Sequence, residues 1–145
     1  MPADVNALAD RYHEFRLQTY PTWAHLQGDY RFADRYEEVG RAAEDGVIAA
    51  ERSFAAEASA LPVDGLDADA RITREMVIWD ATTRADLLCS RLEEFAVDPI
   101  FGPQAMLGVR IPKLTLPDAA VSEAMAGAGR ATLSSGPAHR ARLHR

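Results

Sequence analysis

A chain of 145 residues, 48% apolar and 26% charged, has the balance of one globular core and is too short for two ordinary domains. Its net charge of −6 hides an asymmetry: the stretch through Glu123 carries 12 basic and 22 acidic residues, and the remainder carries Arg130, Arg140, Arg142 and Arg145 with no acid. The acidic body speaks against nucleic-acid binding, and no apolar run approaches the roughly 18 residues of a membrane span.

The N-terminus, Met1-Pro2-Ala3-Asp4, leads straight into an amphipathic pattern without the basic-then-apolar order of a signal peptide, so a cytoplasmic location is expected. A first helix is expected from about Asp4 to Tyr20, with Val5, Leu8, Tyr12, Phe15 and Thr19 inward and Asp10, Arg11, Glu14 and Arg16 outward. Pro21 breaks it, and Thr22 is expected to cap a short turn through Leu26 that Gly28 ends. The segment Asp29–Gly40 interleaves Tyr30, Phe32 and Tyr36 with arginines and acids. Aromatic–arginine mixtures can stack nucleobases, but the acids match the arginines, and a packed loop with internal ion pairs is the expectation.

A second helix fits Arg41–Ala60, with a stripe of Val47, Ala50, Phe54, Ala58 and Leu61 and a weak spot at Gly46. Residues 61–66 form a Pro- and Gly-containing connector. The organising element follows, a helix expected from Asp67 to Val97, N-capped by Asp67 and ended by Asp98-Pro99. Its stripe is Ile72, Met76, Trp79, Thr83, Leu87, Leu88, Leu92 and Phe95. That stripe is expected to face inward, so that Trp79→Ala would cost about 3–5 kcal/mol. Cys89, the only cysteine, permits no internal disulfide and is expected to pack as a small buried hydrophobe. Asp80 and Arg84, at i and i+4, are expected to form a surface pair.

Pro99, Pro103, Pro112 and Pro117 then punctuate a segment rich in large apolar residues, expected to be extended, to pack on something, and to carry a short turn at Gln104–Leu107. Asp118 is expected to cap a weak helix reaching about Ala126. The fold class expected is all-α: an antiparallel bundle of about three main helices over residues 1–128, with a Pro-punctuated extended segment. Residues 129–145, with Leu133 and Leu143 as their only large apolar residues, are expected to be a disordered basic tail. A single lysine, Lys113, beside fifteen arginines points to a GC-rich genome.

Chemistry-bearing motifs are absent. His13-Glu14-Phe15-Arg16-Leu17 begins like H-E-x-x-H, but Leu17 stands where the second zinc-binding His is needed. His25, His139 and His144 have no ligand spacing with a Cys or carboxylate pair, and no phosphate loop or G-x-S-x-G elbow is present. The sequence therefore assigns no catalytic residue, no metal ligand and no cofactor. Glu37-Glu38 and Glu93-Glu94 are expected to be solvated faces.

Three segments carry a resemblance: Leu8–Arg16 with Tyr20-Pro21-Thr22-Trp23-Ala24 and Gly28-Asp29-Tyr30-Arg31, then Leu66–Glu75, then Phe101-Gly102-Pro103-Gln104. In order and spacing, over about residues 7–126, they resemble the N-terminal part of a large bacterial family catalogued as domain of unknown function 885. The resemblance implies a longer, mostly helical, zinc-dependent peptidase-like protein whose H-E-x-x-P-G-H-H metal motif lies downstream of everything present here. Zinc is thereby implied for the full-length family, and Gly102, Pro103 and Gln104 are the positions it places near a substrate cleft. The family continues as helix after Ala126, where this chain turns into an Arg-, Ser- and Gly-rich string. A frameshift or premature stop would produce that pattern. Two functions follow as expectations. One is a truncated N-terminal portion, inactive alone, partnered by the missing C-terminal region or by itself. The other is a stand-alone helical interaction module in which Asp98–Pro117 docks a partner.

Overall fold

In the computed structural model the described residues are 2–38, 40–92, 108–109 and 111–140. They form the helices α1 (Pro2–Thr19), α2 (Pro21–Leu26), α3 (Arg41–Ala60), α4 (Ala68–Ser90) and α5 (Ala119–Arg140), a 3-10 turn at Ile111–Lys113, and no strand. The fold is all-α, as the helical periodicity requires. Two compact units are distinguished, Met1–Thr19 with Glu38–Gly102, and Tyr20–Glu37 with Pro103–Arg145.

The first unit is a three-helix bundle of α1, α3 and α4. Helices α3 and α4 form an antiparallel hairpin, tied at both ends by arginines. At the closed end Arg74 donates to the Leu61 carbonyl at 3.1 Å and the Ser59 carbonyl at 2.8 Å, satisfying acceptors that the end of α3 leaves open. At the open end Arg91 pairs with Asp45 at 3.0 Å and with Glu44 at 3.6 Å in the first turns of α3. The connector turns at Gly65, whose φ of +81° suits glycine. Asp67 caps α4 as expected, accepting from Ala70 N at 2.8 Å. Helix α1 lies against both: Val5 meets Leu66 and Ala70, and Leu8 and Tyr12 meet Ala58, Val77 and Ala81. Phe54 sits between Tyr12 and Phe15, with ring centroids at 5.2 and 5.3 Å.

Three expectations for this unit are corrected. Helix α4 stops at Ser90, not Val97: Arg91 takes a left-handed conformation (φ 51°), which closes the helix, and residues 93–107 lie outside the described set. The face of α4 is inverted. Its buried residues are Ala70, Val77, Ala81 and Ala85, whereas Ile72, Met76, Trp79 and Leu87 are 61%, 55%, 62% and 54% exposed. Alanines let α4 approach α3 and α1 closely, and the bulky stripe, half a turn away, is left outside. Cys89 is exposed rather than buried, and Arg52 Nη2 donates to its Sγ at 3.2 Å.

In the second unit Pro21 occupies the first turn of α2. Thr22 does not cap it. Its N–H and hydroxyl both donate to the Glu37 carboxylate, at 3.0 and 2.7 Å, and Glu37 thus supplies the negative charge at the helix start. The loop beyond Gly28 pairs internally as expected: Arg31 with Asp29 at 2.7 Å, Arg35 with Asp34 at 3.4 Å, both guanidiniums lying over the Phe32 ring. Asp118 caps α5 through Val121 N at 2.9 Å, but that helix continues past Ala126 to Arg140. The expected tail therefore contains helical backbone through residue 140, in keeping with the alanine content of 119–131, and residues 141–145 lie outside the described set.

Candidate functional site

Two features of the first unit carry more than ordinary packing. The first is a polar cluster where three helices meet. Asp80 on α4 accepts from the Tyr12 hydroxyl at 2.8 Å, from Arg16 at 2.7 Å and from Arg84 at 3.0 Å. Arg16 was expected to face outward and Asp80–Arg84 to be a surface pair. Both instead turn inward, because Tyr12 on the buried stripe of α1 presents a hydroxyl that needs an acceptor. Burial alone would raise the Asp80 carboxyl, but the hydrogen bonds from Arg84 and Tyr12 and the charges of both arginines outweigh it and hold the group below its ordinary range.

Glu51 on α3 completes the cluster. It is 0% exposed, and neither carboxylate oxygen has a hydrogen-bond partner, since the Tyr12 hydroxyl is spent on Asp80. Burial pushes the Glu51 carboxyl up, the negative Asp80 adds to the push, and Tyr12, Arg16 and Arg84 oppose it. The Tyr12 hydroxyl is itself pushed well above its ordinary value by burial, by its bond to Asp80 and by the charge of Glu51. Sequence reading missed Glu51. The available signal was its spacing, three residues before Phe54 and seven before Ala58 on the buried stripe.

The second feature is the outward stripe of α4. Ile72, Met76, Trp79, Thr83 and Leu87 lie along one line of the helix and are all exposed. At the fractional exposures above, the four large side chains offer apolar surface on the order of 400–500 Å², the size of the largest patch on a typical monomer, about 300–600 Å², which is often functional. Asp69, Glu75 and Asp86 border it and are exposed.

The second unit contains a shallow hollow with a cavity volume of about 10 Å³, bordered by His25, Phe32, Arg35, Tyr36, Leu114 and Met125 among others. It lies below the range of pockets that enclose small molecules, roughly 300–1,000 Å³. His25 is buried and donates from Nε2 to the Thr115 carbonyl at 2.7 Å, while its ring meets Tyr30 edge-on at 4.8 Å. That nitrogen is structural.

The cleft positions Gly102, Pro103 and Gln104, and the turn at Gln104–Leu107, lie outside the described residues. Of the Pro-punctuated segment, Val109, Ile111 and Leu116 are described and exposed. His13 is exposed on α1. Among the described residues no three His, Cys, Asp or Glu side chains are grouped to hold a metal ion, and no helix is long and apolar enough to cross a membrane. Comparison with protein-family models, with curated proteins and with solved structures returns no match to this chain. The resemblance to the domain of unknown function 885 family thus rests on the residues quoted for it.

Proposed function

We propose that this chain is a helical docking domain that works by association, its contact surface being the outward face of α4. One observation carries this reading: a continuous stripe of large apolar side chains on a helix whose opposite face is already packed. Leaving that stripe in water forgoes roughly 1.5–3 kcal/mol per large side chain that burial would supply, and a partner surface recovers it. The face replaces Asp98–Pro117 as the main docking element, although the described part of that segment is exposed and apolar too.

The test is radical footprinting of Met76 and Trp79. Protection of both in cell extract, lost when the protein is purified and diluted, supports docking. Equal reactivity in both states would show a permanently solvated face and sink the proposal.

A second reading draws on the residues that resemble the peptidase-like family. Here the chain is the N-terminal helical portion of a zinc-dependent hydrolase, inactive alone, and the covering body is that family's C-terminal region. The DNA immediately downstream discriminates. An H-E-x-x-P-G-H-H motif in any frame favours this version, and its absence leaves the stand-alone module.

A further inference from the structure

We infer that Glu51 is a proton-operated latch for α1: as the neutral acid it keeps that helix seated on the α3–α4 hairpin, and once ionised it lets α1 lift away. The latch is independent of whatever covers the outward face of α4. Burial and pairing carry it. The Glu51 side chain is fully enclosed where α1, α3 and α4 meet, and neither of its oxygens has a hydrogen-bond partner. A carboxylate in that state is among the costliest groups a core can hold, whereas the neutral acid loses far less on leaving water.

The titratable and charged groups facing Glu51 are Tyr12 and Arg16 from α1 and Asp80 and Arg84 from α4. They are already engaged with one another: Tyr12, Arg16 and Arg84 all donate to Asp80, at 2.8, 2.7 and 3.0 Å. Neutral Glu51 is compatible with that arrangement. The Tyr12 oxygen, having given its hydrogen to Asp80, can still accept one from the carboxyl O–H. Ionised Glu51 only accepts, so it must draw Tyr12 or Arg16 off Asp80 or admit water.

Water enters by the departure of α1. Helices α3 and α4 are tied to each other at the two ends of the hairpin, through Arg74 and Arg91. Tyr12 and Arg16, which bind α1 to Asp80, are the ties that ionised Glu51 competes for. Lifting α1 bares Leu8 and Tyr12 on one side and Ala58, Val77 and Ala81 on the other, an apolar surface that stays covered while Glu51 holds its proton. Burial pushes the Glu51 carboxyl up, so the latch is closed in mild acid and opens as pH rises through the folded value.

Hydrogen exchange of the full chain tests this, read amide by amide from mild acid to mildly alkaline pH and expressed relative to intrinsic rates. Protection of α1 is expected to fall with rising pH by up to about tenfold per pH unit, while α3 and α4 keep theirs. Glu51→Gln should hold α1 protection constant over the same range, and the same fall in that variant would assign it to another group and overturn the latch. Infrared difference spectra of the parent protein give a reading that needs no variant. A neutral-carboxyl band should persist above the ordinary carboxylate range and vanish in step with α1 protection; its loss within that range, with α1 still protected, would overturn the latch. Equal loss of protection in all three helices would mean general unfolding and overturn it as well. So would α1 protection that stays flat or rises with pH, because ionised Glu51 would then have captured Arg16 or Tyr12 inside a closed bundle.

Discussion

At the scale of single residues the polar cluster sets two expectations of opposite sign. Asp80 is held below its ordinary value, so its contribution is present above the unfolded carboxylate range near about 3.9 and disappears as pH falls through the folded value. Glu51 is raised, so its contribution is complete below about 4.3 and is lost as pH rises through its folded value. Replacing Asp80 by Ala strips the acceptor from Tyr12, Arg16 and Arg84 together and should cost about 2–3 kcal/mol near neutral pH, less in strong acid. Glu51→Gln keeps the shape of the neutral acid and removes its ionisation. Urea midpoints of parent and variant should coincide in mild acid and separate in favour of Gln as pH rises. A separation that shrinks toward alkaline pH would mean that Glu51 is paired and ionised in the folded state. Neither behaviour was legible beforehand, because i, i+4 spacing shows that Asp80 and Arg84 are neighbours but not that Tyr12 and Arg16 close over them from α1.

At the scale of elements, helix positions were legible and helix faces were only partly so. The bounds of α3 and the cap of α4 follow from local chemistry: Gly40 before the one, Asp67 before the other, and Pro62 and Gly65 between them. The inward stripe of α1 was legible because its large apolar residues are also the ones that pack. On α4 the rule that bulk points inward failed. Ala70, Ala81 and Ala85 oppose α1 and α3, whose own contact residues include Ala58, so closeness of approach chose the face. Two measurements separate the faces. Ala81→Leu should destabilise by about 1–3 kcal/mol, since Ala81 is 0% exposed in the cluster of Leu8, Tyr12 and Ala58 and a larger side chain forces the helices apart. Trp79→Ala should change the unfolding free energy of the monomer by less than about 1 kcal/mol, in place of the 3–5 expected from its stripe. Chemical denaturation at low protein concentration checks both, and a large loss at Trp79 would return that side chain to the core.

At the scale of the whole molecule the question is whether the isolated chain performs zinc chemistry, as the family resemblance implies for longer proteins. A catalytic zinc needs three protein ligands around one ion, with a fourth position open to water. His13 lies on the exposed side of α1 with Leu17 one turn on, buried in place of a second ligand. His25 commits Nε2 to the Thr115 carbonyl inside the second unit. Cys89 stands alone at the far end of α4, against Arg52, whose positive charge opposes a cation. Glu51 and Asp80 are the carboxylates drawn closest into a core, but Arg16 and Arg84 already supply two positive charges there, and a divalent ion would have to displace them. Dialysed protein should accordingly hold well under one zinc per chain by elemental analysis and show no chelator-sensitive peptide hydrolysis. Supplying a downstream H-E-x-x-P-G-H-H segment as a separate polypeptide should restore metal binding only to the complex, with Met76 and Trp79 protected in it. Stoichiometric zinc on the chain alone would place ligands outside the described residues, and docking would then no longer account for its role.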